Sequence, residues 1–232
     1  MSIILNGTTG ITSTGITETS DGKVGIGTDS PTSQVSFGAT VGKTIAVFEN
    51  AGGNNIYGIG MGGGGTVADP YRTKIFANGF EYLNVDYAGR VTMPYQPCFS
   101  ARRASSQSSG GSAYVITYQA TQVNIGNHLN AGTGIFTAPV TGNYLFSFSC
   151  IGPTATGSFD LYGYKNGAID SVDFSLRPVS QDVSSYHSAL ASGTFIVPLA
   201  ANDTFGLQIQ QNNISLYSDG NNWVHFSGYL IG

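Results

Sequence analysis

The sequence predicts an all-β protein in two parts: a Gly-rich run of short extended pieces, then a jelly-roll β-sandwich. Three observations carry that prediction. Helical periodicity is weak along the whole chain. Apolar residues alternate with polar ones in short runs, the period of a strand with one buried face. Turn signals break those runs at close spacing, with 33 Gly and 8 Pro in 232 residues.

Up to about residue 96 the chain is rich in Gly, Thr, Ser and Asn. Its β-like pieces are KVGIG (23–27), TIAVFEN (44–50), TKIFANG (73–79) and EYLNVDY (81–87), separated by SDG, NAGGNN, ANG and YAG. The stretch Met93-Pro94-Tyr95-Gln96-Pro97 marks the boundary, because two prolines stiffen a connector.

From Pro97 onward the strands lengthen and aromatic residues multiply. In GIFTAPVTGNYLFSFSC (134–150), Tyr144, Phe146 and Phe148 take every second position and Leu145 sits between them. A sheet with one wet face would have a polar residue there. KNG (165–167) reads as a hairpin turn with Asn-Gly at its centre. FGLQIQQ (205–211) puts Phe205, Leu207 and Ile209 on one face and Gly206, Gln208 and Gln210 on the other. WVHFSGYLI (223–231) is apolar on both: Trp223, Tyr229 and Ile231 on one face, Val224, Phe226 and Leu230 on the other. Many short strands with Gly/Pro-rich turns make a sandwich or jelly roll.

Composition narrows the function. No run of about 18 apolar residues exists, so no membrane insertion is expected. The opening MSIILNGTTG lacks a basic n-region, so no secretory signal is expected. A net charge of -4 argues against a nucleic-acid partner. Cys98 and Cys150 are too few for a disulfide scaffold and read as buried small hydrophobes.

Apparent chemical motifs dissolve on inspection. VGKT (41–44) resembles the end of a phosphate-binding loop, but Gly38 lies one residue too close and TIAVFEN reads as a strand instead of the required helix. Gly58, Gly60 and Gly63 satisfy G-x-G-x-x-G without a following helix and read as a Gly-rich loop or crowded corner. His128, His187 and His225 are scattered without metal-ligand spacing. Asp160, Asp170, Asp173 and Asp182 could supply a glycosidase pair but read as solvated turn acids. No catalytic, metal or cofactor residue is assigned.

The stretch from Tyr118 to Phe148 resembles the signature of the complement component 1q globular-head family, a branch of the tumour-necrosis-factor-like jelly rolls. Tyr118, Asn124, Leu129, Phe136, Gly142, Tyr144, Phe146 and Phe148 stand at that signature's gaps. Tyr118 departs mildly, since the family usually has Phe there. PCFSARR and HFSGYLI are similar to the family's first and last strands, so the resemblance covers 97–232. It implies a homotrimeric head whose inner sheets meet around a threefold axis. The strands 142–150 and 223–231 would then bury both faces. Tyr144, Phe146 and Phe148 are expected on the core side, with Tyr118, Asn124, Phe136, Gly142, Phe226 and Tyr229 also serving core or trimer assembly. Some relatives bind calcium near the trimer apex; Asp219 beside Tyr217 is the candidate heir, and no metal is claimed.

The first part is similar to segments of bacteriophage tail-fibre proteins, in NGTTGITSTGI, KVGIGTDSP and AGRVTMPYQP. Physics points the same way. A segment so poor in large side chains buries too little apolar surface to offset ordering, roughly 1–2 kcal/mol per residue. It is either disordered or shared among chains, and an intertwined trimeric β shaft suits its short strands. The expected organisation is a virion-anchoring arm (1–35), a Gly-rich β shaft (36–96) and the head (97–232).

Three stretches read as receptor-reading loops: 152–158, 171–186 and 216–223. In the last, Tyr217, Asn221, Asn222 and Trp223 combine aromatic planes with amides, a common way to hold sugars. The alternative is that Trp223 merely opens the last strand and packs under a loop. The leading expectation is a non-enzymatic virion protein, made in the host cytoplasm. Its N-terminus would hold other virion proteins and its head a host glycan or protein. The alternatives are a decoration or connector component and a polysaccharide-cleaving enzyme.

Overall fold

The computed structural model describes residues 16–20, 22–26, 35–36, 44–48, 57–62, 72–77, 80–108, 113–152, 157–158, 160–177, 179–180, 190–210 and 214–232. The chain divides between Pro94 and Tyr95 into two compact units, inside the proline-bearing stretch that marks the boundary in the sequence.

The first unit carries β1 (Ile16–Glu18), β2 (Val24–Ile26), β3 (Val35–Ser36), β4 (Thr44–Phe48), β5 (Tyr57–Gly62), β6 (Arg72–Ala77), β7 (Phe80–Asp86) and β8 (Val91–Thr92). Strands β1 to β3 form a small sheet; β4 to β8 form an antiparallel meander in chain order. Asp86 Oδ1 accepts from the Ala88 and Arg90 amides, and Gly89 supplies φ 79 to close the β7–β8 turn. Register aligns Ile59 with Ile75, Ile75 with Leu83 and Val85 with Val91, so one face is aliphatic. The other face carries Glu81 bound by Arg72 at 2.9 Å and Lys74 at 3.0 Å.

One expectation changes here. The meander's strands pair in chain order, each with its sequence neighbour. Short connections such as Ala77 to Phe80 bring sequential strands together at little closure entropy. Gly58 and Gly60 sit buried inside β5, opposite Phe76 and Lys74, and not in a loop. Thr44 to Phe48 of the VGKT region is a strand. Residues 1–15, 21 and 27–34, most of the expected anchoring arm, lie outside the described residues.

The second unit carries β9 (Cys98–Ser108), β10 (Tyr114–Val115), β11 (Ala120–Asn124), β12 (Leu129–Asn130), β13 (Ile135–Thr137), β14 (Gly142–Ile151), β15 (Gly157–Ser158), β16 (Leu161–Lys165), β17 (Ala168–Leu176), β18 (Val179–Ser180), β19 (Leu190–Leu199), β20 (Thr204–Ile209) and β21 (Ser215–Leu230). One sheet runs β11-β9-β21-β14-β19. The second runs β12-β13-β20-β16-β17, with β10 also on β20. Every pairing in both is antiparallel.

The two sheets face one another across an aromatic core. Phe146 of the first stacks on Phe205 of the second at 4.7 Å, and Phe136 meets Phe146 edge-on at 5.8 Å. Burying each such ring stabilises the fold by roughly 2–3 kcal/mol. The β16–β17 hairpin turns at Asn166 (φ 52) and Gly167 (φ 81), the positive dihedrals that Asn-Gly accepts at least cost. Asn166 also donates to Asp203 Oδ1 at 2.9 Å and accepts from the Thr204 amide, latching the hairpin to the next turn.

Candidate functional site

The residues expected to assemble the core do so from β14 outward. Tyr144, Phe146, Phe148 and Cys150 alternate inward and are buried. Phe148 pairs with Phe226, whose ring stacks on Phe146 at 5.5 Å and on Tyr118 at 5.7 Å. The Tyr144 hydroxyl donates to Val140 O at 2.8 Å. Asn124 acts like a strip of backbone: its Nδ2 donates to Leu129 O and its Oδ1 accepts from the Leu129 amide. A Cβ at Gly142 would stand 2.8 Å from Leu230 Cδ1 and 3.1 Å from Gly232 O, so a side chain there would have to displace its neighbours.

The sheet's other face answers why Leu145 is apolar. Register sets Ile196, Leu145, Tyr229 and Cys98 in one row across four strands. Beside it runs a hydroxyl row, Thr194, Ser147, Ser227 and Ser100, with Val123 at its end. Next comes Ser192, Ser149, His225 and Arg102. Ile196 is 52% exposed, Tyr229 41% and Val123 40%. Cys98, Val123, Leu145 and Tyr229 line an open groove of about 220 Å³ on this face. Tyr229 thus lies on the outer face, opposite the core that Phe226 fills.

A second feature interrupts β21. Between Asp219 and Val224 the strand advances five residues while β9 advances only from Ser105 to Arg103. The surplus arches away from the ladder, with Gly220 at φ 92. Asp219 ties the arch: Trp223 Nε1 donates to Oδ1 at 2.8 Å and the Tyr217 hydroxyl donates to Oδ2 at 3.1 Å. That bond to Asp219 holds the Tyr217 phenol above its ordinary pKa, because the neutral form is the donor. Trp223 stays 43% exposed.

This corrects both sequence readings of 216–223. The stretch is neither a free loop nor the start of the last strand, since β21 begins at Ser215. Its apolar Leu216 and Val224, both buried, hold each end in the sheet and force the polar residues between them outward. The side chains of Asn221 and Asn222 lie outside the described residues. Residues 153–156, 178 and 181–186 of the other two stretches, and His187 just beyond, also lie outside the described residues.

Two residues matter more than the sequence suggested. Asp219, considered only as a metal ligand, is the organiser of the arch. Gly228 faces inward, and a Cβ there would lie 2.4 Å from the Phe99 ring and 2.8 Å from Phe146. A glycine at an inward position between aromatics was the available signal. Cys98 is half-buried on the outer face instead of in the core, while burial pushes the Cys150 thiol up to about 12. Asp160 is engaged by Arg177, and Asp170 Oδ1 caps the Val172 amide.

Comparison with known proteins agrees with this architecture. The family model described as "C1q domain" matches residues 98–231. Complement C1q tumor necrosis factor-related protein 3 is 30% identical in its human form over 133 residues, covering 56% of this chain and 48% of the relative. The mouse form is 30% identical over 132 residues. This chain thus spans about half the length of the curated relatives it matches. Among solved structures, the globular domain of zebrafish complement 1qA is 19% identical, covers 59% of this chain and 98% of its own, and superposes with a TM-score of 0.43. Murine APRIL is 16% identical, with 58% and 99% covered and a TM-score of 0.43. With more than half its length matched by the family model, from the first strand of the sandwich to the last, the chain belongs to the C1q domain family.

Proposed function

We propose that this chain is a non-enzymatic fibre protein of a virion, working as a homotrimer. Its N-terminal part attaches to other virion proteins, and its head contacts a host-surface glycan or protein. The observation that carries the trimer is the row Ile196, Leu145, Tyr229 and Cys98, apolar and partly exposed on a sheet whose reverse side is already the core. Apolar rows of this kind mark protein contacts, and three sister sheets would each cover the next. The hydroxyl row beside it would supply polar contacts that fix the register between subunits.

The aliphatic face of the meander fits the same reading. Ile59 and Val91 are half exposed there while the ion pairs gather on the opposite face. Three such faces turned toward one another would make the β shaft by side-chain packing, with each ladder kept within its own chain. The virion setting rests on the first part's composition and its fibre-like segments.

The arch supplies the reading end. Trp223 and Tyr217 are fixed by one carboxylate in a partly exposed position, as planes on which an apolar sugar face can stack. Single-site binding would be weak, and three copies per fibre would add avidity. The test is adsorption of the purified chain to host cells and its competition with infection. Saturable binding lost in Trp223→Ala supports the reading. A chain that incorporates into virions yet never binds cells would instead be a connector.

A further inference from the structure

The arch stands on a polar cluster inside the head. Along β9, Phe99 and Ala101 face the core, and Arg103 follows on the same face opposite the buried Val224. Its Nη1 donates to Thr117 Oγ1 at 2.8 Å and to Thr117 O at 3.1 Å, and its Nη2 donates to Ser106 O at 3.2 Å. These acceptors are neutral. Arg103 Nε is closed off from solvent and finds no acceptor among the described residues.

A second orphan lies one residue beyond the Thr117 that Arg103 binds. Arg103 grips the peptide group of Thr117, and Tyr118 follows directly. The Tyr118 ring stacks on Phe226, which pairs with Ala101, two residues along β9 from Arg103. The Tyr118 hydroxyl is fully enclosed and likewise has no partner among the described residues. Burial drives the Tyr118 phenol far above its ordinary range and lowers Arg103, so the hydroxyl remains neutral beside a poorly compensated cation. Buried polar groups without protein partners are where internal water is found, each molecule satisfying about three of them.

We propose that Arg103 Nε and the Tyr118 hydroxyl bind one internal water molecule that forms the floor of the arch. The Nε–H donates to the water oxygen, and the water donates to the phenolic oxygen. The connection to the arch is direct. Ser218, buried between Tyr217 and Asp219, donates from Oγ to Arg103 O at 2.7 Å. Its amide donates to Ser106 Oγ, which in turn donates to Ser218 O. Arg103 therefore holds the hydrated pair with its side chain and the base of the arch with its backbone.

Two measurements on the full chain test this. The first is a high-resolution crystal structure. A density peak within hydrogen-bond distance of both Arg103 Nε and Tyr118 Oη supports the proposal. An empty position, or an anomalous peak there after bromide soaking, overturns it, the latter in favour of an anion. The second is Tyr118→Phe, read by urea unfolding followed through Trp223, the single tryptophan. If water satisfies the hydroxyl, its removal strands Arg103 Nε and the water, and the midpoint falls. If the hydroxyl is unsatisfied, removing it relieves a buried polar group and the midpoint rises, which contradicts the proposal.

Discussion

Trp223 donates its indole N–H to Asp219 Oδ1 at 2.8 Å, across a stretch of β21 that has left the ladder. The same carboxylate takes the Tyr217 hydroxyl on its other oxygen. One acidic residue thus sets the orientation of both aromatic rings, and in the proposed recognition the arch would depend on a group that need not touch the ligand.

Asp219→Ala should free both rings without harming the head, since the site is exposed and such substitutions usually cost under about 0.5 kcal/mol. Trp223 emission should shift and broaden, and cell binding should fall. The Tyr217 phenol should titrate at lower pH, because its neutral form loses an acceptor. Fluorescence and spectrophotometric titration check these outcomes. Unchanged binding with altered fluorescence would remove the arch from recognition.

Gly228→Ala should be severely destabilising although it adds a single methyl. The new carbon would meet Phe99 at 2.4 Å and Phe146 at 2.8 Å, and both rings are locked by their neighbours. Overpacking of this kind costs about 1–3 kcal/mol or more. Chemical denaturation of the purified variant measures it; a loss below about 0.5 kcal/mol would mean the core yields more than its packing implies.

The two faces of β14 and β21 should respond differently to charge. Phe146→Asp or Phe226→Asp would bury an unpaired carboxylate in the core and abolish soluble protein. Leu145→Asp or Tyr229→Asp should leave the sandwich folded and break the assembly, because in the proposed trimer these side chains meet sister chains and not the core. Circular dichroism and solution mass separate the outcomes.

Acid should weaken the head through His128. Its ring lies over Gly126, and burial holds the imidazole below its ordinary 6.5. The unfolded chain therefore takes up a proton at higher pH than the folded one. Stability is full above about pH 6.5 and falls as pH drops from there toward the folded value. His128→Gln should flatten that part of the profile, measured as unfolding midpoints between about pH 7.5 and 5. An unchanged slope would assign it to other groups.

Much of the head was legible because alternation has only one physical meaning in a sandwich. Tyr144, Phe146 and Phe148 had to share a face, and Leu145 between them put an apolar side chain on the outer one. Asn166-Gly167 announced its turn by chemistry alone. The arch was not legible, because a bulge is set by what both neighbouring strands do. Nothing in LYSDGNNW says that β9 advances two residues while β21 advances five. Arg103 was equally hidden: in ARRASSQ its inward direction follows only from the pairing with Val224. In the first unit, chain-order pairing of β4 to β8 was masked by the scarcity of large side chains.

In the proposed trimer, three chains cover one another through the outer face of the β11-β9-β21-β14-β19 sheet. Solution mass of the full chain by light scattering over a wide dilution range tests it most directly. The expected result is three times the 24.2 kDa chain mass, persisting on dilution and reduced to a single folded chain by Leu145→Asp. A native chain that runs as a folded monomer at every concentration would contradict it.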